Sequence, residues 1–155
     1  MKKVLLLLTH SVMLVMGFAL GIYALPILTQ PDKPSMVEIG QVATSALFTG
    51  DFERDLEGSD VLHYGSGTVY ISADKIAFDG QITPGPDYKL YLSPLFVETK
   101  QAFLANKDKM IKVGDVRTFN GFMLDMPEGI SPTDYQAVVI WCESFNIFIT
   151  AAKYH

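Results

Sequence analysis

Few residues in this chain can do redox, ligand or acid–base chemistry. They are one cysteine, Cys142, the one tryptophan beside it, Trp141, and three histidines, His10, His63 and His155. His10 falls inside a long apolar run and His155 is the terminal residue, so His63 is the histidine that a folded domain can bring to Cys142. A Cys142–His63 pair can ligate a metal or a haem iron, or the imidazole can serve as base for the thiol. The alternatives stay open: an ordinary hydrogen-bonded histidine, and a core cysteine that packs as a small hydrophobe among Val, Ile and Trp. In an extended strand Glu143 points away from Cys142, so the neighbour in sequence is not the neighbour in space.

Other chemistries lack their residues. Structural zinc needs clustered Cys and His at ligand spacing, and neither Cys-x-x-Cys nor His-x-x-x-His occurs. Gly65-Ser66-Gly67 is not the five-residue nucleophile elbow and precedes a strand pattern, so its glycines are expected to shape a turn or bulge. Asp51, Glu53, Asp55, Glu57 and Asp60 lack the twelve-residue calcium loop and read as a solvated acidic segment. Lys100, Lys107, Lys109 and Lys112 read as a solvated basic face.

The thiol must be positioned by the elements around it. Val138 to Trp141 and Asn146 to Ile149 are β-branched and aromatic runs too short for helices, which predicts two strands, or one bent strand, with a bulge or tight bend at Cys142 to Ser144. One cysteine excludes an intramolecular disulfide, so the fold must be held by its core.

With 155 residues, 49% of them hydrophobic, the chain allows one compact domain and an appendage. Met1-Lys2-Lys3 is followed by an apolar run to Leu28, long enough for a membrane-spanning helix and longer than the hydrophobic region of a cleaved signal peptide. Residues 1–28 are therefore expected to be an uncleaved signal anchor, cleavage after Ala24 being the alternative. The two lysines place the N-terminus in the cytoplasm and the remainder across the membrane. Beyond residue 28 there are 10 Lys and Arg against 17 Asp and Glu, a net charge of −7, which argues against nucleic acid and anionic lipid headgroups as partners.

Residues 29–34, with two prolines, read as a stiff linker. Ser35 and Glu38 form a capping box ahead of a helix over 36–47. From 48 to 155 the pattern becomes short alternating runs divided by turns, which predicts an all-β, antiparallel sandwich or barrel-like domain. Val69 with Ile71, Ile76 with Phe78, and Tyr88 with Leu90 and Leu92 are each expected to share an inward face. A short helix over 98–106 offers Phe103 and Leu104 for packing. Asn120-Gly121 predicts a hairpin joining 112–119 to 122–126.

From residue 47 to residue 154 the chain resembles the DM-thirteen domain, a family named for electron transfer. The resemblance is carried by Gly50-Asp51-Phe52, by His63 followed by Gly67-Thr68-Val69, by Gly85-Pro86-Asp87 leading into Tyr91-Leu92, and by Val139-Ile140-Trp141-Cys142-Glu143-Ser144-Phe145 followed by Ala152. It implies a β-rich fold and maps the family's cysteine onto Cys142, as a bare thiol or as a ligand to a prosthetic group such as haem. Beside it His63 is the candidate second ligand or base that its residue type allows, and Trp141, Tyr91 and Asp87 are expected to surround the bound group. The whole layout is similar to single-pass envelope proteins of Gram-negative bacteria, which implies the inner membrane, with the domain periplasmic. Larger relatives carry cytochrome-like or DOMON modules, so the redox partner here is expected to be another polypeptide and the chain an accessory, not a stand-alone enzyme. The competing expectation is a binding module of the envelope whose cysteine is structural.

Overall fold

The computed structural model describes residues 1–155. Helix α1, Lys2–Leu28, is apolar apart from Lys2, Lys3, Thr9, His10 and Ser11, buries none of its residues, and has the length and composition of a membrane anchor or a signal sequence. The linker that follows is irregular up to Ser35. Ser35 then caps α2, Met36–Thr44: its Oγ accepts from the Glu38 N–H at 3.3 Å, and the Glu38 carboxylate accepts from the Ser35 N–H at 2.8 Å. This helix ends three residues earlier than the sequence predicts. Residues from Leu47 onward are drawn into a ladder instead, the Leu47 N–H donating to Ile71 O at 2.8 Å.

Eight strands follow: β1 Phe48–Phe52, β2 Gly65–Ile71, β3 Lys75–Ile82, β4 Tyr88–Ser93, β5 Ile111–Val116, β6 Phe122–Asp125, β7 Ala137–Cys142 and β8 Ile147–Lys153. They form two antiparallel four-stranded sheets, ordered β1-β2-β3-β6 and β5-β4-β7-β8, so the predicted all-β sandwich is what the chain builds. Alternation fills the space between the sheets: Val69, Ile71, Ile76 and Phe78 of one meet Leu90, Leu92, Val138 and Ile140 of the other, all fully buried. Gly67 is forced by two things at once. Its φ is +133°, and a Cβ there would come within 2.5 Å of the Gly80 Cα across the β2–β3 pair.

Helix α2 covers the outer face of the first sheet through Ile39 and Val42. The second sheet is covered by α3, Lys100–Asn106, capped by Thr99, whose Oγ1 accepts from the Ala102 N–H at 3.1 Å. Only one of the two expected packing residues serves: Phe103 is fully buried, whereas Leu104 points to solvent.

The Asn120-Gly121 hairpin does not form. Strand β5 pairs with β4 and β6 pairs with β3, so the connection passes from one sheet to the other. Phe119 and Phe122, on either side of the turn, both enter the inter-sheet core. The bend is held by the Ile82 N–H donating to Phe119 O at 2.8 Å and by Thr118 Oγ1 donating to Gly121 O at 2.6 Å.

Phe103 stacks on Trp141 at 4.2 Å and meets Tyr91 edge-on at 5.3 Å, so it is the wedge that seats α3. Phe103→Ala should cost about 3–5 kcal/mol, as large-to-small changes in a core do. Leu104→Ala should stay within about 0.5 kcal/mol. Denaturant unfolding of the micelle-held chain, followed by Trp141 emission, checks both; equal effects would show that α3 is not seated this way.

Candidate functional site

Strand β7 is buried from end to end, and its residues alternate between two environments. Val138, Ile140 and Cys142 face the other sheet; Val139 and Trp141 face α3. Cys142 is the last residue of the strand, opposite Tyr88 of β4 and Ile147 of β8. A four-residue turn, Glu143 to Asn146, then reverses the chain, with Asn146 at φ +51° and its N–H bonded to Glu143 O. The bulge or tight bend expected at Cys142 to Ser144 is thus a turn that begins one residue later, with the thiol still in the strand at the end of the sandwich.

A cavity of about 160 Å³ lies there, lined by Cys142, His63, Tyr88, Phe145, Ile147 and Ile149, by Leu62 and the Pro84-Gly85-Pro86 loop, and by Ala19, Ile22 and Tyr23 of α1. The structure thus brings Cys142 and His63 to one place. Gly85 is required because a Cβ on it would run into the Tyr88 ring. His63 is oriented by Asp60. A carboxylate can only accept, so Nδ1 carries the proton and donates to the two Asp60 oxygens at 2.9 and 3.0 Å, leaving Nε2 as the acceptor. The backbones of Asp60 and His63 also bond to each other, and Asp60 Oδ1 accepts from the Leu62 N–H at 2.7 Å. The hydrogen bond from His63 holds the Asp60 carboxyl below its usual range. Asp60 thus departs from the solvated acidic segment in which its composition places it; its spacing three residues before His63 is the signal in the sequence.

Burial pushes the Cys142 thiol above its ordinary pKa. The backbone amides of Phe145, Asp87 and Ser144 act the other way, favouring thiolate, while the negative charge of Asp87 adds to the upward push. Asp87 does not line the cavity. Its carboxylate is paired with Lys89 at 2.7 Å and accepts from Ser144 Oγ at 2.8 Å, and its carbonyl accepts from the Glu143 N–H at 3.0 Å, so it ties the turn after Cys142 to the start of β4. Lys89 in turn reaches Asp115 at 2.8 Å.

Trp141 and Tyr91 are not in the cavity either. They lie on the outer face of the sheet with Phe103, as the period of two requires. The Tyr91 hydroxyl donates to Glu143, whose other oxygen pairs with Lys107 at 2.7 Å. The Lys107 ammonium lies 5.7–5.8 Å from the ring centroids of Tyr91, Phe103 and Trp141, so this lysine belongs to a cluster and not to a solvated basic face. Burial alone would raise the Glu143 carboxyl, but Lys107 and Tyr91 outweigh it and hold its pKa down. The Trp141 indole N–H adds to that pull by proximity without reaching hydrogen-bond geometry, and it is left without a partner.

Haem does not fit the cavity. An engineered apolar cavity of ~150 Å³ takes one benzene ring, and sites for larger organic ligands run from roughly 300 Å³ upward. A space of about 160 Å³, walled on one side by α1, has room for a small reactant beside the sulfur and not for a porphyrin. No group of three or more His, Cys, Asp or Glu is placed to hold a metal ion.

A family model described as Electron transfer DM13 matches residues 55–154. No curated protein and no solved structure matches the chain.

Four groups of the domain are held in their neutral forms by burial: Cys142, Tyr88, Tyr91 and Tyr154 all have raised pKa values. In the unfolded chain they ionise first as pH rises, the thiol near ~8.5 and the phenols near ~10, so the unfolded state loses protons before the folded one and stability falls. The melting temperature should hold from pH 7 to 8 and drop steadily above about pH 9. A flat profile to pH 11 would contradict these burial effects.

Proposed function

The chain belongs to the electron transfer DM13 family, and on that premise we propose that it is a membrane-anchored redox domain whose centre is the Cys142 thiol, with His63 as its base and Asp60 orienting the base. The observation that carries this is a single cavity lined by both Cys142 and His63, with Asp60 fixing the tautomer that leaves Nε2 free. Helix α1 supplies the anchor, and Lys2 and Lys3 at its start support a cytoplasmic N-terminus and a periplasmic domain on a bacterial inner membrane.

One sulfur cannot run a dithiol cycle, so the redox step is two-electron chemistry at Cys142 with outside thiols closing it. The cavity admits a small hydroperoxide. The thiol proton passes to His63 Nε2, and the thiolate attacks the distal peroxide oxygen. The O–O bond breaks, and the leaving alkoxide takes the proton from His63 and departs as an alcohol. The sulfur is left as a sulfenic acid, oxidised by two electrons while the peroxide is reduced. A thiol from a partner protein condenses with it, releasing water and forming a mixed disulfide, and a second thiol frees Cys142 and leaves as a disulfide.

A second reading is favoured by one observation. Cys142 is 2% exposed and its pKa is raised, which are the marks of a structural thiol in a binding module. Alkylation of the micelle-held chain by iodoacetamide separates the two. The redox reading expects Cys142 to react in the folded protein, His63→Ala to slow it by about 100-fold, the low end for loss of a general base, and added imidazole to restore part of the rate. Asp60→Asn should fall between the two. A thiol that reacts only after denaturation, with His63→Ala no different, leaves the structural reading standing.

A further inference from the structure

We propose that the cavity end of the sandwich is seated on the bilayer, with Val61, Leu62 and Phe145 as its lipid contacts, so that the Cys142 cavity opens at the lipid interface. This rests on the reading of α1 as an anchor.

The length of α1 sets the depth. Its 27 residues span about 40 Å at 1.5 Å each, against a hydrocarbon core of about 30 Å. With Lys2 and Lys3 at the first interface, the core ends some 20 residues further on, near Tyr23, the residue type enriched at that level. The domain touches α1 at this height: Ala19, Ile22 and Tyr23 close the cavity, and Tyr23 and Ile27 share a neighbouring cleft with Val61 and Leu62. The domain surface continuous with the anchor therefore meets lipid, whatever its composition.

Its most exposed side chains are apolar. Val61 is 82% exposed, Leu62 62% and Phe145 49%, on two separate turns; Leu62 and Phe145 line the cavity, and Val61 lines the neighbouring cleft. Both turns are fastened by the hydrogen bonds already described, Asp60 with His63 and Glu143 with Asn146, so the side chains are displayed by fixed backbone. Exposed large hydrophobes gathered at one place mark a contact surface, and the anchor beside them selects lipid as the occupant. Charge does not drive the contact: the exported part is acidic, so seating is by insertion and insensitive to anionic lipid.

The test uses the full chain in phosphatidylcholine nanodiscs, in a Cys142→Ala background, with a nitroxide placed in turn at Leu62→Cys, Phe145→Cys, Glu128→Cys at the opposite end, and Leu14→Cys inside α1. Electron paramagnetic resonance measures relaxation by oxygen, which concentrates in lipid, and by a neutral nickel chelate, which stays in water. Labels at 62 and 145 should show oxygen-to-nickel ratios several-fold above that at 128 and approaching that at 14. Ratios at 62 and 145 equal to that at 128, with 14 in lipid, overturn the seating and leave the anchor intact. A label at 14 exposed to nickel removes the anchor itself, and the seating falls with it.

Discussion

Strand β7 is buried on both faces, and its two-residue repeat sends Cys142 and Trp141, adjacent in the chain, into unconnected surroundings. A slip of one residue in the register between β4 and β7 would exchange them, putting the indole into a space sized for a thiol. That register is held from both sides, by Leu90 and Leu92 packing inward and by Tyr91 reaching Glu143 on the outer face. The position of the sulfur at the mouth of the sandwich is therefore a property of the whole second sheet.

The outer cluster is the counterweight. Glu143 continues the alternation beyond the strand, accepts from Tyr91 and pairs with Lys107, so the turn that follows Cys142 is pinned to the helical layer. Asp87, on the same face as Lys89 and Tyr91, pins the same turn through Ser144 and the Glu143 N–H. Held by these contacts, the turn aims the amides of Ser144 and Phe145 at the sulfur, which partly offsets the cost of ionising a buried thiol. The geometry thus contains opposing influences on Cys142, desolvation against oriented amides, with His63 lining the same cavity.

Much of this was legible in the residues. The inward pairs Val69 with Ile71 and Ile76 with Phe78 were plain from alternation, and the Ser35–Glu38 capping box marked the start of α2. Local signals failed where long-range packing outweighed them. Asn120-Gly121 is strong hairpin chemistry, yet β5 finds its partner in β4 and β6 in β3, so the segment crosses between the sheets. The grouping of Trp141 and Tyr91 with Cys142 followed chain proximity and family resemblance, and strand geometry separates them. Asp60 was lost in an acidic loop because its partner, His63, becomes relevant only once the fold brings it to the cavity.

The central claim is that Cys142 is employed. Its most direct test is trapping of the oxidised sulfur in the folded, membrane-held chain: one equivalent of hydroperoxide, then a cyclic dione selective for sulfenic acid, then peptide mass analysis. The account predicts a single dione adduct on Cys142 that depends on peroxide and is lost on addition of excess thiol. A Cys142 recovered as free thiol from the folded chain, and modified only when the chain is unfolded first, would contradict it.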